Sequence, residues 1–435
     1  MASGTERAAP VNAGSRAAEI VARMRRLEGA GMRSFLEDPP FVWERAGGAR
    51  ITDVDGREYV DLYASFAVAA VGHQHPRVVE AVRRQADLLM HCSSAYPSPV
   101  RAEFYEALAS IAPTGATRML PAITGAMANE IALAIARVRR PSGSVIAFEG
   151  GYFGRSVGTV GVAGKAIYRE RLGLPSSAQF VPFPDATRDA DASVALAQID
   201  RLIGHAGGVG KLSAILLEPV QGNGGVVIPP ADLLPGVRAI CDRSGALMIV
   251  DEIQSGCGRT GRMWATQHGE VAADLTTVGK GIGGGLAVAA VYGTDEAMSV
   301  LDADAYSSTF LTNNLNQAAA VAAIGVLRDQ DLPGRAERLG RDILRSRLST
   351  IAGLAGVGPP RSIGLWAGIP LRDAAGGPDG GRAARVVRAA RAAGVVVGRG
   401  GYDDEVVKVS PPLVIDEDDL ASALDRLADV IDTTR

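Results

Sequence analysis

Asp251 closes the apolar run LMIVD at Leu247 to Asp251, and 29 residues later Lys280 sits in the glycine-rich stretch TTVGKGIGGG. A carboxylate at the end of such a run lies at the carboxyl edge of a sheet, where open α/β folds bind their ligands. Lysine, unlike arginine, can lose its proton and attack a carbonyl as a neutral amine. The chain has only four lysines, Lys165, Lys211, Lys280 and Lys408, among 45 basic residues. A lysine here therefore marks a task that arginine does not perform. An amine that attacks a carbonyl, beside an acid that keeps a ring nitrogen protonated, is the pair that pyridoxal phosphate requires.

Two further stretches point to the same edge. ITGAMANEIALAIAR, from Ile123 to Arg137, is a small-residue loop opening onto a helix. Backbone N–H groups at such a helix start, with Thr124 nearby, suit a phosphate. Glu218, followed by Pro219 and by QGNGG at Gln221 to Gly225, ends another apolar run and directs a carboxylate to the same place. Cys92, Cys241 and Cys257 are far apart, with no CxxC or Cys/His pair to hold zinc, and read as reduced thiols.

These residues need a scaffold, and 435 residues are enough for a large and a small domain. The runs at Val145 to Phe148, Ala214 to Glu218, Leu247 to Asp251 and Val288 to Tyr292 predict buried strands of a mainly parallel sheet. Helices are predicted between them, at Asn129 to Arg140, stopped by Pro141, and at Leu234 to Arg243, stopped near Gly245. The fold class is α/β. RITDVDGREYVDL, from Arg50 to Leu62, predicts a hairpin. After Val326 come charged helices, a loop at Ala374 to Gly381, a helix to about Ala393, a strand at Val395 to Val397 and a last helix from about Asp416. This gives an N-terminal segment 1–75 that packs with the small domain, a large domain 76–326 and a small α+β domain 327–435.

A net charge of −3 gives no electrostatic case for nucleic acid, and no run reaches the roughly 18 apolar residues that a membrane span needs. The N-terminal 32 residues lack the apolar core of a signal peptide, so the expected location is the cytoplasm.

From about Val42 to the C-terminus the chain resembles the class III aminotransferases of pyridoxal-phosphate fold type I. The resemblance rests on FEGGYFGRS (148–156), EPVQGNGG (218–225), IVDEIQSGCGRTG (249–261), GKGIGGG (279–285), SSTFLTNN (307–314) and VVKVSPPL (406–413). It implies that Lys280 is the Schiff-base lysine and Asp251 the partner of the pyridine nitrogen. By the same resemblance Gln254 lies near the cofactor's phenolic oxygen, Tyr152 stacks on the ring, and Gly125 and Ala126 form the phosphate cup. Thr309 matches a threonine that reaches the phosphate from the other subunit, which implies a homodimer with shared sites. Phe66, Phe153, Glu218 and Lys408 fall at substrate positions.

The sequence departs from the family pattern at several points. Ala126 stands where Ser or Thr is frequent, Ser156 in the GRT position, Cys257 where a larger apolar residue is common, and Asn314 where proline is usual. Lys408 takes the place of the arginine that clamps the substrate α-carboxylate. The resemblance implies amino transfer between glutamate/2-oxoglutarate and a terminal amine, aldehyde or keto partner, including amino-sugar or other natural-product intermediates. A mutase or epimerase of the same family would carry the same residues and dispense with the keto acid.

Overall fold

The computed structural model describes residues 15–32, 41–205 and 211–434. Parts of the N-terminal segment, residues 1–14 and 33–40, lie outside the described residues. An amphipathic helix, Arg16–Leu27, precedes three strands: β1 (Trp43–Gly47), β2 (Arg50–Asp53) and β3 (Glu58–Asp61). The predicted hairpin is β2–β3, paired antiparallel. Its turn is held by the Asp53 carboxylate, which accepts from the N–H groups of Asp55 (3.0 Å) and Arg57 (2.9 Å). Gly56 supplies the left-handed residue the turn needs, at φ +83°.

The central sheet has seven strands: β4 (Arg118–Ala122), β5 (Ser144–Phe148), β6 (Gln179–Val181), β7 (Leu212–Leu217), β8 (Leu247–Asp251), β9 (Leu275–Val278) and β10 (Ala289–Gly293). Their spatial order is β4-β10-β9-β8-β7-β5-β6. Strands β5 to β9 pair in parallel, whereas β10 is antiparallel to both β9 and β4. Apolar residues cover both faces, which is why these strands read as unbroken runs. Val145, Ala147, Ala214, Leu216 and Ile249 pack against Ile131, Ala132 and Ile135 of the helix Gly125–Arg139. Ile146, Phe148, Ile215, Leu217, Met248 and Val250 turn the other way, onto Leu233, Val237 and Ile240 of the helix Leu233–Ser244. Gly245 ends that helix at φ +63°, as the sequence predicts.

The first of these helices starts four residues earlier than its periodicity predicts. Thr124 is its cap: the Thr124 Oγ1 accepts from the Met127 N–H at 3.1 Å. That shift places the helix N-terminus at Gly125 and Ala126.

The rest of the chain adds β11 (Arg361–Ile363), β12 (Trp366–Pro370), β13 (Val395–Val396), β14 (Gly398–Gly400) and β15 (Val406–Val409). Of the expected strand at Val395 to Val397, Val395 and Val396 form β13, and a further short strand, β14, begins just beyond it at Gly398. Strand β13 joins the N-terminal sheet in parallel with β3, while β14 joins an antiparallel sheet ordered β11-β12-β15-β14. Helices Gly380–Ala392 and Glu417–Thr433 accompany them, the latter capped by Asp416. Arg259, in the loop after β8, is buried and donates to the carbonyls of Leu365 (3.0 Å) and Pro411 (2.7 Å). It ties the loop that follows Asp251 to the residues flanking β12 and β15. Among the described residues no helix is long and apolar enough to cross a membrane.

Candidate active site

Lys280 follows β9 and holds a left-handed backbone, φ +40°, which a side-chain-bearing residue rarely adopts. Such strain costs about 1–3 kcal/mol and persists where the surroundings over-determine it. The surroundings here are close: a Cβ on Gly281 would lie 2.8 Å from the Cβ of Cys257. A larger residue at 257 would press on this turn, so Cys257 and Gly281 fit as a pair. The Cys257 thiol is pushed up to about 12 by burial and serves as packing. The Lys280 amine is driven below its usual value by burial, opposed by the carboxylates of Asp251 and Glu218 that face it. A lysine that sheds its proton readily is a lysine that can act as nucleophile and base.

Asp251 sits at the carboxyl end of β8 and is held by two donors. The Ile253 N–H donates to its Oδ1 (2.9 Å) and Asn129 Nδ2 to its Oδ2 (2.7 Å). Asn129 is itself fixed, since Nδ2 also donates to the Phe153 carbonyl (2.9 Å) and Oδ1 accepts from Thr277 Oγ1 (2.8 Å). Sequence reading missed Asn129 and Thr277 as site residues. No local pattern marks an asparagine one turn inside a helix whose partner is 122 residues away. Burial raises the Asp251 carboxyl to about 6, so a cation at its outer side would hold it ionised.

Glu218, at the end of β7, gives both oxygens to the backbone. Tyr152 N–H donates to Oε1 and Gly222 N–H to Oε2, each at 2.9 Å. Burial, reinforced by Asp251, raises its pKa to about 7 from 4.5. A carboxyl whose folded pKa is raised contributes stability that is present below the unfolded value and lost as pH climbs through the folded one. The apoprotein's melting temperature is therefore expected to fall between about pH 5 and pH 8 relative to that of Glu218→Gln, which has no proton to lose. Parallel thermal-melt profiles for the two proteins would contradict that burial.

The remaining predicted residues divide between the site and its surroundings. Gly125 and Ala126 open the helix whose cap is Thr124, so their N–H groups lie outside the helical ladder. Tyr152 is half-buried, its ring edge-on to that of Tyr168 at 5.7 Å. The Arg155 guanidinium, another residue sequence reading missed, lies 4.5 Å over the Tyr168 ring and 6.0 Å over Tyr152. Gln254 crosses the face of Gly222, where a Cβ would meet its Oε1 at 2.1 Å. Lys408 is buried on β15 and donates to the Gly222 carbonyl at 3.5 Å.

Two aromatic positions have opposite fates. Phe66 is 48% exposed, on a turn beside Tyr63. Phe153 is 2% exposed and packs with Ile131, Ala128 and Val162, so its ring belongs to the core beneath the site and not to a pocket wall. Thr309 is exposed, and among the described residues no hydrogen bond ties it to Lys280 or Asp251.

The residues fit pyridoxal phosphate: a buried acid for a ring nitrogen, an amine depressed by burial, a half-exposed aromatic face, and a capped helix N-terminus for a phosphate. Comparison with known proteins agrees. Residues 35–431 match the model of the class-III aminotransferases. An acetylornithine aminotransferase from Methanothermobacter thermautotrophicus is 36% identical over 393 residues, covering 90% of this chain and 94% of its own. A 2-aminoadipate transaminase from Pseudomonas putida is 33% identical, covering 89% and 95%. The structure of a pyridoxal-phosphate-bound amine transaminase from an uncultivated Pseudomonas species superposes with a TM-score of 0.86 at 27% identity, covering 94% of this chain and 98% of that one. With the fold, the site chemistry and the family match in agreement, the chain belongs to the class III aminotransferases, enzymes that depend on pyridoxal phosphate.

Proposed function

We infer that this aminotransferase moves an amino group between glutamate/2-oxoglutarate and a partner bearing a terminal amine or aldehyde, and that it works as a cytoplasmic homodimer. The observation that carries the reading is the trio of Lys280, Asp251 and Glu218 gathered at the carboxyl edge of the sheet, with electrostatic coupling among all three. When bound, pyridoxal phosphate supplies a carbonyl carbon for the amine and a ring that accepts electrons. The chain's own residues supply the rest.

Lys280, whose amine burial makes easier to deprotonate, would take a proton from the substrate carbon and return it to the cofactor carbon on the other side of the transferred nitrogen. Asp251, fixed by Asn129 and Ile253, would hold the ring nitrogen protonated. The helix N-terminus at Gly125 and Ala126 would hold the phosphate, together with Thr309 of a second copy. Tyr152 and Gln254 would hold the ring, and Glu218 and Lys408 would meet the substrate, Lys408 at its α-carboxylate. Exposure of Thr309 and of Phe310, 58% exposed, supports a surface covered by another subunit.

The test is keto-acid dependence. Holoenzyme is given terminal amines, beginning with N-acetylornithine because of the named relatives, and glutamate is quantified with and without 2-oxoglutarate. Glutamate formed in step with loss of the amine, and only with the keto acid, is expected. Turnover of a single substrate with no keto acid would replace the reading with a mutase or epimerase.

A further inference from the structure

Lys408 stands where the family resemblance places an arginine, and its surroundings are shaped for a lysine. Its ammonium lies 5.7 Å from the centroid of the Tyr63 ring, within the range in which a cation is held by an aromatic face. Two glycines of β14 make that placement possible. Gly398 is paired directly with Lys408, and a Cβ on it would fall 1.8 Å from the Tyr63 ring. A Cβ on Gly400 would fall 3.0 Å from the Lys408 Cε.

Tyr63 is pinned at both ends. Its N–H donates to Asp61 Oδ1 at 2.8 Å, and its carbonyl accepts from Ser410 Oγ at 3.2 Å. Ser410 N–H also donates to the Leu62 carbonyl at 2.7 Å, so the residue two places after Lys408 is tied to the residue before Tyr63. Asp61 is fully buried, and its other oxygen is bound by His73 Nε2 at 2.8 Å.

The four residues after Tyr63, from Ala64 to Ala67, all hold left-handed backbones, φ +48° to +68°, with no glycine among them. Such a turn is costly for L-residues and is retained where it has something to position. It brings the Phe66 ring to 4.8 Å from that of Tyr63.

We propose that Tyr63 is a specificity-determining residue that positions Lys408: its ring face carries the ammonium and aims it at the α-carboxylate of the dicarboxylate substrate. An arginine fork orients itself on a carboxylate through two parallel bonds, whereas an ammonium is a point charge on a flexible stem. The ring and the two glycines supply the orientation that the fork would have supplied. The inference rests on the reading of Lys408 as a substrate-facing cation.

The test uses holoenzyme, with KM for 2-oxoglutarate and calorimetric Kd for glutarate, a dicarboxylate that does not react. Tyr63→Leu is expected to raise both by about 5-fold or more, consistent with loss of a desolvated cation–ring contact, with a smaller effect on kcat. A carboxylate-free amine should show no such change in KM. Tyr63→Phe, which keeps the ring, should restore most of the affinity. Gly398→Ala, which leaves Tyr63 in place but displaces its ring, should reproduce the leucine variant and serves if that variant fails to fold.

Lys408→Met separates the two ideas. If it leaves both constants unchanged, Lys408 does not face the carboxylate and the underlying reading falls. If it raises them while Tyr63→Leu and Gly398→Ala do not, Tyr63 has no positioning role. Equal losses in Tyr63→Phe and Tyr63→Leu would also overturn the proposal, because the hydroxyl and not the ring would then matter.

Discussion

Replacing Lys280 by alanine is expected to lower kcat by at least about 10⁴-fold, some 5.5 kcal/mol of transition-state stabilisation. One side chain is assigned two tasks here, attachment of the cofactor and transfer of the proton, and both vanish together. The remaining lysines offer no substitute. Lys165 is buried with its ammonium on the Gly401 carbonyl, and Lys408 is directed at the Gly222 carbonyl. Lys211 is exposed and immediately precedes Leu212, the first residue of β7, so it lies at the opposite edge of the sheet from Glu218 and Asp251. Borohydride reduction of the wild-type holoenzyme and peptide mapping should therefore tag Lys280 alone. A tag on any other lysine, or substantial turnover by the alanine variant, would remove Lys280 from its role.

The parts of this site that were legible in the sequence are those with a local signature. Scarcity of lysine singled out Lys280, and uninterrupted apolar runs exposed β5, β7 and β8, with Asp251 at the tip of the last. What escaped notice depends on distant partners or on backbone conformation. Strand β14 was obscured because Gly398 and Gly400, which make room for Tyr63 and Lys408, interrupt the apolar alternation. The left-handed turn at Ala64 to Ala67 has no glycine to announce it. Asn129 lies among the apolar residues of ANEIALAIAR and reads as one more helical position, yet it connects three segments of the chain. Phe153, adjacent to half-buried Tyr152, gave no sign that its own ring turns into the core.

Asp251→Asn is expected to lower kcat by about 10²-fold or more, roughly 2.7 kcal/mol, through loss of the charge that keeps the ring nitrogen protonated. Shape alone would make this a mild change, but the hydrogen bonds make it more severe. Two N–H donors, from Asn129 and Ile253, face the two oxygens of Asp251, and an asparagine has one oxygen to offer them. Its amide would point N–H at N–H on one side. Rotation of the Asn129 amide does not relieve this, because Nδ2 is committed to the Phe153 carbonyl and Oδ1 to Thr277. The apoprotein should therefore lose about 1–3 kcal/mol of stability in addition to the catalytic loss. Thr277→Val separates the two effects: it releases Asn129 while leaving the Asp251 charge intact. It should lower thermal stability yet retain most of the turnover that Asp251→Asn loses. Should Asp251→Asn turn over within a few-fold of the wild type, the carboxylate is structural. Should Thr277→Val match its catalytic loss, the geometry of the carboxylate counts for as much as its charge.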